Sequence, residues 1–225
     1  MSHLDTELRL LNEDIQELMH LVGGQLEKGR EAIRNFDKDL AVEIRADERR
    51  VDALELKIDR DCENILALFN PVAIDLRFVI ACFKINSDLE RLGDHAYSIA
   101  GYLTDMDGPM DEDHMRQMRL DEMYDMAIRM LEHVVEAFDA EDSKQARKVL
   151  VMDETLNEIN RDASKITSQL IREDPERIQR YLYLFSIIRK LERVGDLVKN
   201  IGEEIVFYLE AKVLKHKKKK YRNSP

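Results

Sequence analysis

The chain contains an internal duplication, and this feature constrains its fold more than any other part of the sequence. The hexapeptide LERLGD at Leu89–Asp94 recurs as LERVGD at Leu191–Asp196, with five of the six positions identical. An X-Pro dipeptide precedes each copy, Asn70-Pro71 in the first half and Asp174-Pro175 in the second. Self-similarity at a fixed offset is typical of repeated supersecondary units. We therefore expect two copies of one structural unit in tandem.

Hydrophobic periodicity predicts that each unit is helical. Apolar residues recur at spacings of three and four, as in the stripe formed by Val51, Leu54, Ile58, Cys62 and Ile65. Such a stripe is the buried face of an amphipathic helix. The 225 residues include only 8 Gly and 4 Pro, and both residue types destabilise helix interiors. No segment shows a convincing strand pattern, so the predicted fold class is all-α.

Breaks between the stripes predict six helices, arranged as two tandem antiparallel three-helix bundles. The predicted helices span about 5–35, 40–69, 75–102, 112–137, 143–171 and 176–212. Short loops between consecutive helices favour antiparallel neighbours. The turn-forming residues Asp107-Gly108-Pro109 mark the boundary between the two bundles. The predicted domains are therefore residues 1–106 and 110–212, followed by a basic, disordered tail at 213–225.

The formal net charge of −11 is unevenly distributed along the chain. The stretch from Lys212 to Arg222 contains seven Lys and Arg residues, so the body that precedes it is more acidic than the total. An acidic body repels nucleic acid and favours cations or basic partners. The tail is either a solvated charge run or a contact for anionic lipid or an acidic protein surface. We expect no nucleic-acid partner and at most peripheral membrane association.

Other features of the sequence predict a cytoplasmic protein that is not an enzyme. The longest apolar run, Phe78–Phe83, is far shorter than the roughly 18 residues that a membrane span needs. The N-terminus, MSHLDTELRL, lacks the apolar region of a signal peptide. Cys62 and Cys82 are expected to be reduced residues of the core. No phosphate-binding glycine loop, HExxH or CxxC motif is present.

Carboxylate pairs at helical spacing indicate where a metal could bind. Each hexapeptide places Glu and Asp four residues apart, which puts both side chains on one face of one helix. Glu48 and Asp52 show the same spacing on the preceding helix, and an antiparallel helix pair brings them to Glu90 and Asp94. Four ionised carboxylates cannot share a packed site unless cations neutralise them. Carboxylate oxygens suit Mg, Ca, Mn and iron.

The second unit departs from this pattern. Aligning the apolar stripes of the two units places Asp153 and Asn157 at the matching positions, with Glu154 and Glu158 as an alternative pair. Asn157 carries a neutral amide, which is a weaker ligand, so the second site is expected to be poorer, smaller or absent. A competing interpretation is that the duplicated block preserves core packing and that its charges simply lie outside the core.

The block NPVAIDLRFVI at 70–80, followed by Lys84-Ile85 and Asp88–Asp94, resembles the signature of PhoU proteins. The second hexapeptide and the segment Asn200–Glu204 fit the same pattern, so the resemblance extends over nearly the whole chain. It implies two three-helix bundles with multinuclear clusters of iron, zinc or another divalent metal, held by E(D)xxxD motifs. The implied ligands are Glu48, Asp52, Glu90, Asp94, Asp153, Asn157, Glu192 and Asp196.

The resemblance also implies a regulatory activity. PhoU proteins couple the phosphate ABC transporter to a sensor histidine kinase and keep the phosphate-starvation response off when phosphate is plentiful. The implied partners are therefore the transporter ATPase, the phosphate-sensing kinase and, as a further expectation, a second copy of the chain. Two alternatives remain at this point: a helical metal-binding or metal-storage protein, and an accessory subunit of another phosphate transporter.

Overall fold

The computed structural model describes residues 2–214. These residues form eight α-helices and one 3-10 turn at Pro175–Arg177, without a strand. The helices are α1 (His3–Asn35), α2 (Lys38–Phe69), α3 (Ala73–Asp105), α4 (Glu112–Gln117), α5 (Leu120–Asp139), α6 (Ser143–Met152), α7 (Glu154–Glu173) and α8 (Ile178–Glu210). The predicted all-α class is confirmed. The predicted basic tail lies outside the described residues from position 215 onward.

The first bundle consists of α1, α2 and α3, and its boundaries follow the sequence signals. Ser2 and Asp5 form a capping box at the start of α1, in which each side chain accepts a hydrogen bond from the other residue's backbone. Phe36 and Asn70 adopt left-handed conformations, with φ of 53° and 47°, and these end α1 and α2. Pro71 follows Asn70 and disfavours continuation of the helix.

The second bundle contains two breaks that the sequence did not predict. The helix expected at 112–137 is divided into α4 and α5 at Arg119, which has a φ of 52°. The Arg119 guanidinium pairs with Glu122 at 2.7 Å and with Glu158 of α7 at 2.9 Å. The helix expected at 143–171 is divided into α6 and α7 at Asp153. The six predicted helices therefore become eight.

Helices α3 and α8 run antiparallel along each other and join the two bundles. Near one end, Arg77 Nε donates to the backbone oxygen of Tyr208 at 3.2 Å. Near the other, the rings of Tyr102 and Tyr183 lie 5.4 Å apart. Buried residues from both bundles form one continuous apolar core. The duplicated hexapeptides lie near the middle of this helix pair.

Two sequence expectations about the core and the membrane can be compared with the structure. Cys62 and Cys82 are both free and buried, as expected for small core residues. Among residues 2–214, no helix combines the length and the apolarity that a membrane span needs.

Candidate metal centre

Helices α2 and α3 place the predicted ligands of the first bundle in two facing rows. Gly93 allows the helices to approach closely, since a Cβ at this position would lie 3.2 Å from Val51 Cγ1 and 3.4 Å from Glu48 Oε2. The Glu48 carboxylate therefore lies against α3 at Gly93, which is between Glu90 and Asp94. A glycine in a helix interior destabilises it by up to about 1 kcal/mol relative to alanine, and this close approach accounts for its presence.

The Glu48 carboxylate is buried and only partly satisfied. It is 9% exposed, and its Oε2 accepts a hydrogen bond from Gln25 Nε2 at 3.1 Å. Its other oxygen, Oε1, has no hydrogen-bond partner among the described residues. Glu90 is partly buried, whereas Asp52 and Asp94 are exposed. An unpaired buried carboxylate oxygen is costly unless a cation or donor reaches it.

The electrostatics of the first bundle favour a bound cation. The pKa of Glu48 is raised to about 7, chiefly by burial and also by the charges of Asp94, Asp52 and Glu90, while the hydrogen bond from Gln25 opposes the rise. Burial and the charge of Asp94 also raise the pKa of Glu90. Among residues 2–214, no Lys or Arg forms an ion pair with any of the four predicted ligands. A cation between the rows would relieve this repulsion.

The second bundle holds its buried carboxylate in another way. Asp153 is 5% exposed, and its Oδ2 accepts hydrogen bonds from the Lys199 ammonium and, at 3.5 Å, from Asn157 Nδ2. A Cβ on Gly195 would overlap Leu156 Cδ1. In the first bundle, a Cβ on Gly93 would likewise crowd Val51. The alignment of the two stripes therefore describes equivalent positions in space.

The remaining ligands predicted for the second bundle lie beside basic residues. Burial and the charge of Asp196 raise the pKa of Glu192, while Arg193, Arg189 and a hydrogen bond from Asn160 oppose the rise. Arg193 Nη1 lies 3.3 Å from Asp196 Oδ2, and Arg193 Nε lies 3.6 Å from Glu192 Oε2. The structure thus places these carboxylates in a local environment with more positive charge than in the first bundle.

The alternative pair for the second bundle lies on an exposed face. Glu154 is exposed and pairs with Arg161 at 3.3 Å. Glu158 is also exposed and pairs with Arg119 at 2.9 Å. Neither carboxylate is buried as Asp153 is.

Comparison with known proteins identifies the repeated unit. The family model described as the PhoU domain matches residues 15–103 and again residues 120–205. Each match falls within one bundle, and together they cover most of the chain. The chain belongs to the PhoU family. The resemblance seen in the sequence and the duplicated helical fold are both confirmed.

Solved PhoU structures share this fold over almost the entire chain. The crystal structure of PhoU from Pseudomonas aeruginosa superposes with a TM-score of 0.85 at 27% identity, covering 93% of this chain and 100% of that one. The phosphate transport system regulatory protein PhoU from Streptococcus pneumoniae gives a TM-score of 0.81 at 26% identity, covering 94% of this chain and 99% of that one.

Curated relatives match over similar lengths. The phosphate-specific transport system accessory protein PhoU homolog 1 of Thermotoga maritima is 28% identical over 216 residues, which are 95% of this chain and 91% of the relative. The PhoU homolog of Aquifex aeolicus with the same accessory description is 30% identical over 212 residues, which are 93% of this chain and 94% of the relative.

The structure adds two acidic residues to the first PhoU repeat that the sequence reading missed. Glu55 continues the α2 row, and burial together with the charges of Asp59 and Asp52 raises its pKa. Asn86 Nδ2 donates to Asp59 Oδ1 at 2.8 Å. The signal was present in the sequence, because positions 48, 52, 55 and 59 follow one helical stripe of spacings four, three and four.

The donor set of the first PhoU repeat fits a metal cluster by its chemistry. Carboxylate oxygens are ligands for hard and borderline divalent ions, and the unpartnered Glu48 Oε1 supplies a buried donor atom. Among residues 2–214, no three His, Cys, Asp or Glu side chains already converge on one point where an ion could be held. The ligands form two facing rows of oxygens rather than a closed coordination sphere.

Proposed function

We propose that this chain is an accessory protein of a phosphate transport system and regulates phosphate uptake and the phosphate-starvation response. The observation that carries the proposal is the match of both bundles to the PhoU domain, in a chain spanning nearly the whole length of relatives described as phosphate-specific transport system accessory proteins. In this proposal the protein acts in the cytoplasm without catalysis, by contacting the ATPase of a phosphate ABC transporter and a phosphate-sensing histidine kinase.

We further propose that the first repeat binds iron, zinc or another divalent metal between Glu48, Asp52, Glu90 and Asp94. The buried, unpartnered oxygen of Glu48 and the raised pKa values of Glu48 and Glu90 support this site. When bound, the metal supplies the positive charge that the two acidic rows lack. The surface formed by α2 and α3 would then depend on metal loading, which gives the protein a face whose shape can report on metal supply.

Deletion of the gene in its host tests the regulatory proposal. Phosphate-starvation genes should be expressed at high phosphate in the deletion strain, and a plasmid copy of the wild-type gene should restore repression. Transcript levels of these genes are the measurement. Expression that stays unchanged after deletion would contradict the regulatory role.

The metal proposal has its own test. Glu90→Ala combined with Asp94→Ala should lower the metal content of the purified protein, measured by elemental analysis. Glu27→Ala combined with Glu31→Ala is the matched control, because it also removes two carboxylates four residues apart, on the exposed face of α1. Equal metal content in the two variants would contradict the site.

A further inference from the structure

The acidic site of the second repeat already contains a cation that belongs to the chain. Asp153 lies at the kink between α6 and α7, where it is 5% exposed. The Lys199 ammonium donates to its Oδ2 from a side chain that is 19% exposed. Removing one partner of a buried ion pair leaves an uncompensated charge, so such a pair is difficult to separate. This pair occupies Oδ2, one of the two carboxylate oxygens that a metal at Asp153 would use.

The equivalent position in the first repeat carries no charge. Lys199 follows Tyr97 by the same offset that relates the two hexapeptides, so the two side chains occupy matching places on α8 and α3. The Tyr97 hydroxyl accepts a hydrogen bond from Arg45 at 2.7 Å. Glu48, the equivalent of Asp153, keeps Oε1 without a hydrogen-bond partner among the described residues. The buried carboxylate is therefore neutralised within the chain in the second repeat only.

Two further differences remove negative charge from the second site. Asn157 stands where the first repeat has Asp52, and Asn160 stands where it has Glu55, both at the offset that relates Asp153 to Glu48. A neutral amide oxygen attracts a divalent ion less strongly than a carboxylate does. The second site thus has fewer anionic donors, and one of those that remain is already paired with an ammonium.

We propose that Lys199 is the resident counter-ion of the second acidic site and excludes metal from it, so that metal binds in the first repeat alone. The second half of this statement rests on the metal site proposed above. The result is an asymmetric protein made of two similar repeats. The face formed by α2 and α3 depends on metal supply, whereas α7 and α8 keep one arrangement with or without metal.

Exchanging the two equivalent residues tests the proposal in the first repeat. Tyr97→Lys introduces an ammonium next to the acidic rows, and Tyr97→Phe is the control that keeps the ring without adding charge. Each metal-stripped protein is mixed with Zn²⁺ or Mn²⁺, freed of unbound ions and analysed for metal per chain. Tyr97→Lys should fall to the level of the stripped protein, and Tyr97→Phe should match the wild type. Metal retained equally by both variants would overturn the proposal.

The reverse exchange tests the second repeat. In a background of Glu90→Ala and Asp94→Ala, the substitutions Asn157→Asp, Asn160→Glu and Lys199→Tyr reproduce residues of the first repeat. This protein should bind Zn²⁺ or Mn²⁺. The control carries the same acidic substitutions but keeps Lys199, and it should bind none. Equal binding by the two proteins would show that the lysine does not exclude metal.

The unmodified second site completes the test. Glu192→Ala with Asp196→Ala, in an otherwise wild-type chain, should leave the metal content unchanged, and a drop would overturn the proposal. If the wild type itself binds neither ion, the metal site proposed for the first repeat is wrong. Metal binding gained in the reverse exchange would still show that Lys199 excludes metal. If the reverse exchange gains no metal binding, the role of Lys199 is overturned as well. Far-UV circular dichroism establishes that each variant folds. If the protein with the reverse exchange does not fold, the metal content of the Tyr97→Lys variant decides whether a lysine at this position excludes metal.

Discussion

At the scale of single residues, Glu48 gives the metal-free protein a pH dependence. Its pKa is raised from the ordinary value of 4.5 to about 7, first by burial. At a pH below the pKa of Glu48 in the unfolded chain, the carboxyl is protonated in both the folded and the unfolded state. Its burial then costs no charge desolvation. As the pH rises from about 4.5 through 7, the unfolded chain loses this proton first, so the folded state loses stability. Above pH 7 the loss of stability is complete.

Glu48→Gln should therefore flatten the dependence of stability on pH. In chelator-treated protein at pH 8, we expect the variant to be more stable than the wild type by about 2 kcal/mol, because the amide carries no charge and can still accept a hydrogen bond. At pH 4.5 the two proteins should be nearly equal. Urea unfolding between pH 4.5 and 8 measures the difference. Glu63→Gln, on the exposed face of the same helix, is the control and should show no such gain.

The candidate site could be predicted in part because its ligands follow helical spacing. The rows containing Glu48, Asp52, Glu90 and Asp94 were found from the spacing of four and from the duplication. The pairing of Asp153 with a lysine was not predicted, because it joins residues 46 positions apart on different helices. Asn157 was the residue from which the sequence predicted a weaker second site.

At the scale of the elements, the glycines within long helices differ in what surrounds them. A Cβ on Gly24 in α1 would meet no described atom within 4 Å, whereas a Cβ on Gly202 in α8 would lie 3.2 Å from the backbone oxygen of Ala146. The first position has room for a methyl group. The second needs a shift of the α6 backbone, which a packed helix resists.

Two alanine substitutions should therefore have opposite effects. Gly24→Ala should raise the free energy of unfolding by up to about 1 kcal/mol through helix propensity. Gly202→Ala should lower it by about 1 kcal/mol or more, because overpacking outweighs the propensity gain. Chemical denaturation of both variants measures the two effects. A stabilising Gly202→Ala would show that α6 and α8 are less tightly packed than the structure indicates.

The helix boundaries show which elements local sequence could predict. Those of the first bundle follow capping and X-Pro signals and were predicted to within a few residues. The break at Arg119 was missed, because neither Gly nor Pro lies there to mark a left-handed residue. Its ion pair with Glu158 on α7 is a tertiary contact. Local propensity contains no information about such a contact.

At the scale of the whole molecule, the two repeats share one apolar core along α3 and α8. Separating the two repeats would place the buried Tyr208 of α8, whose ring packs against Phe78 of α3, in water. Burying a large apolar side chain contributes about 2 kcal/mol, so the interface between repeats couples their stabilities. Because of this shared core, we expect the two similar repeats to unfold as a single unit.

Calorimetry tests this coupling. Metal-free protein should unfold in one transition whose calorimetric and van't Hoff enthalpies agree. Leu89→Ala and Leu191→Ala should each lower the stability of that one transition by about 2–5 kcal/mol, although they lie in different repeats. Two separate transitions, each sensitive to only one substitution, would contradict a shared core.

The asymmetry between the repeats is the central claim at this scale, and anomalous X-ray scattering from crystals grown with Zn²⁺ tests it most directly. Data collected on both sides of the zinc absorption edge locate the metal independently of any variant. We predict anomalous peaks between α2 and α3, beside Glu48, Asp52, Glu90 and Asp94, and Lys199 still paired with Asp153 in the other bundle. Peaks beside Asp153, Glu192 and Asp196, or none in the first bundle, would contradict the account.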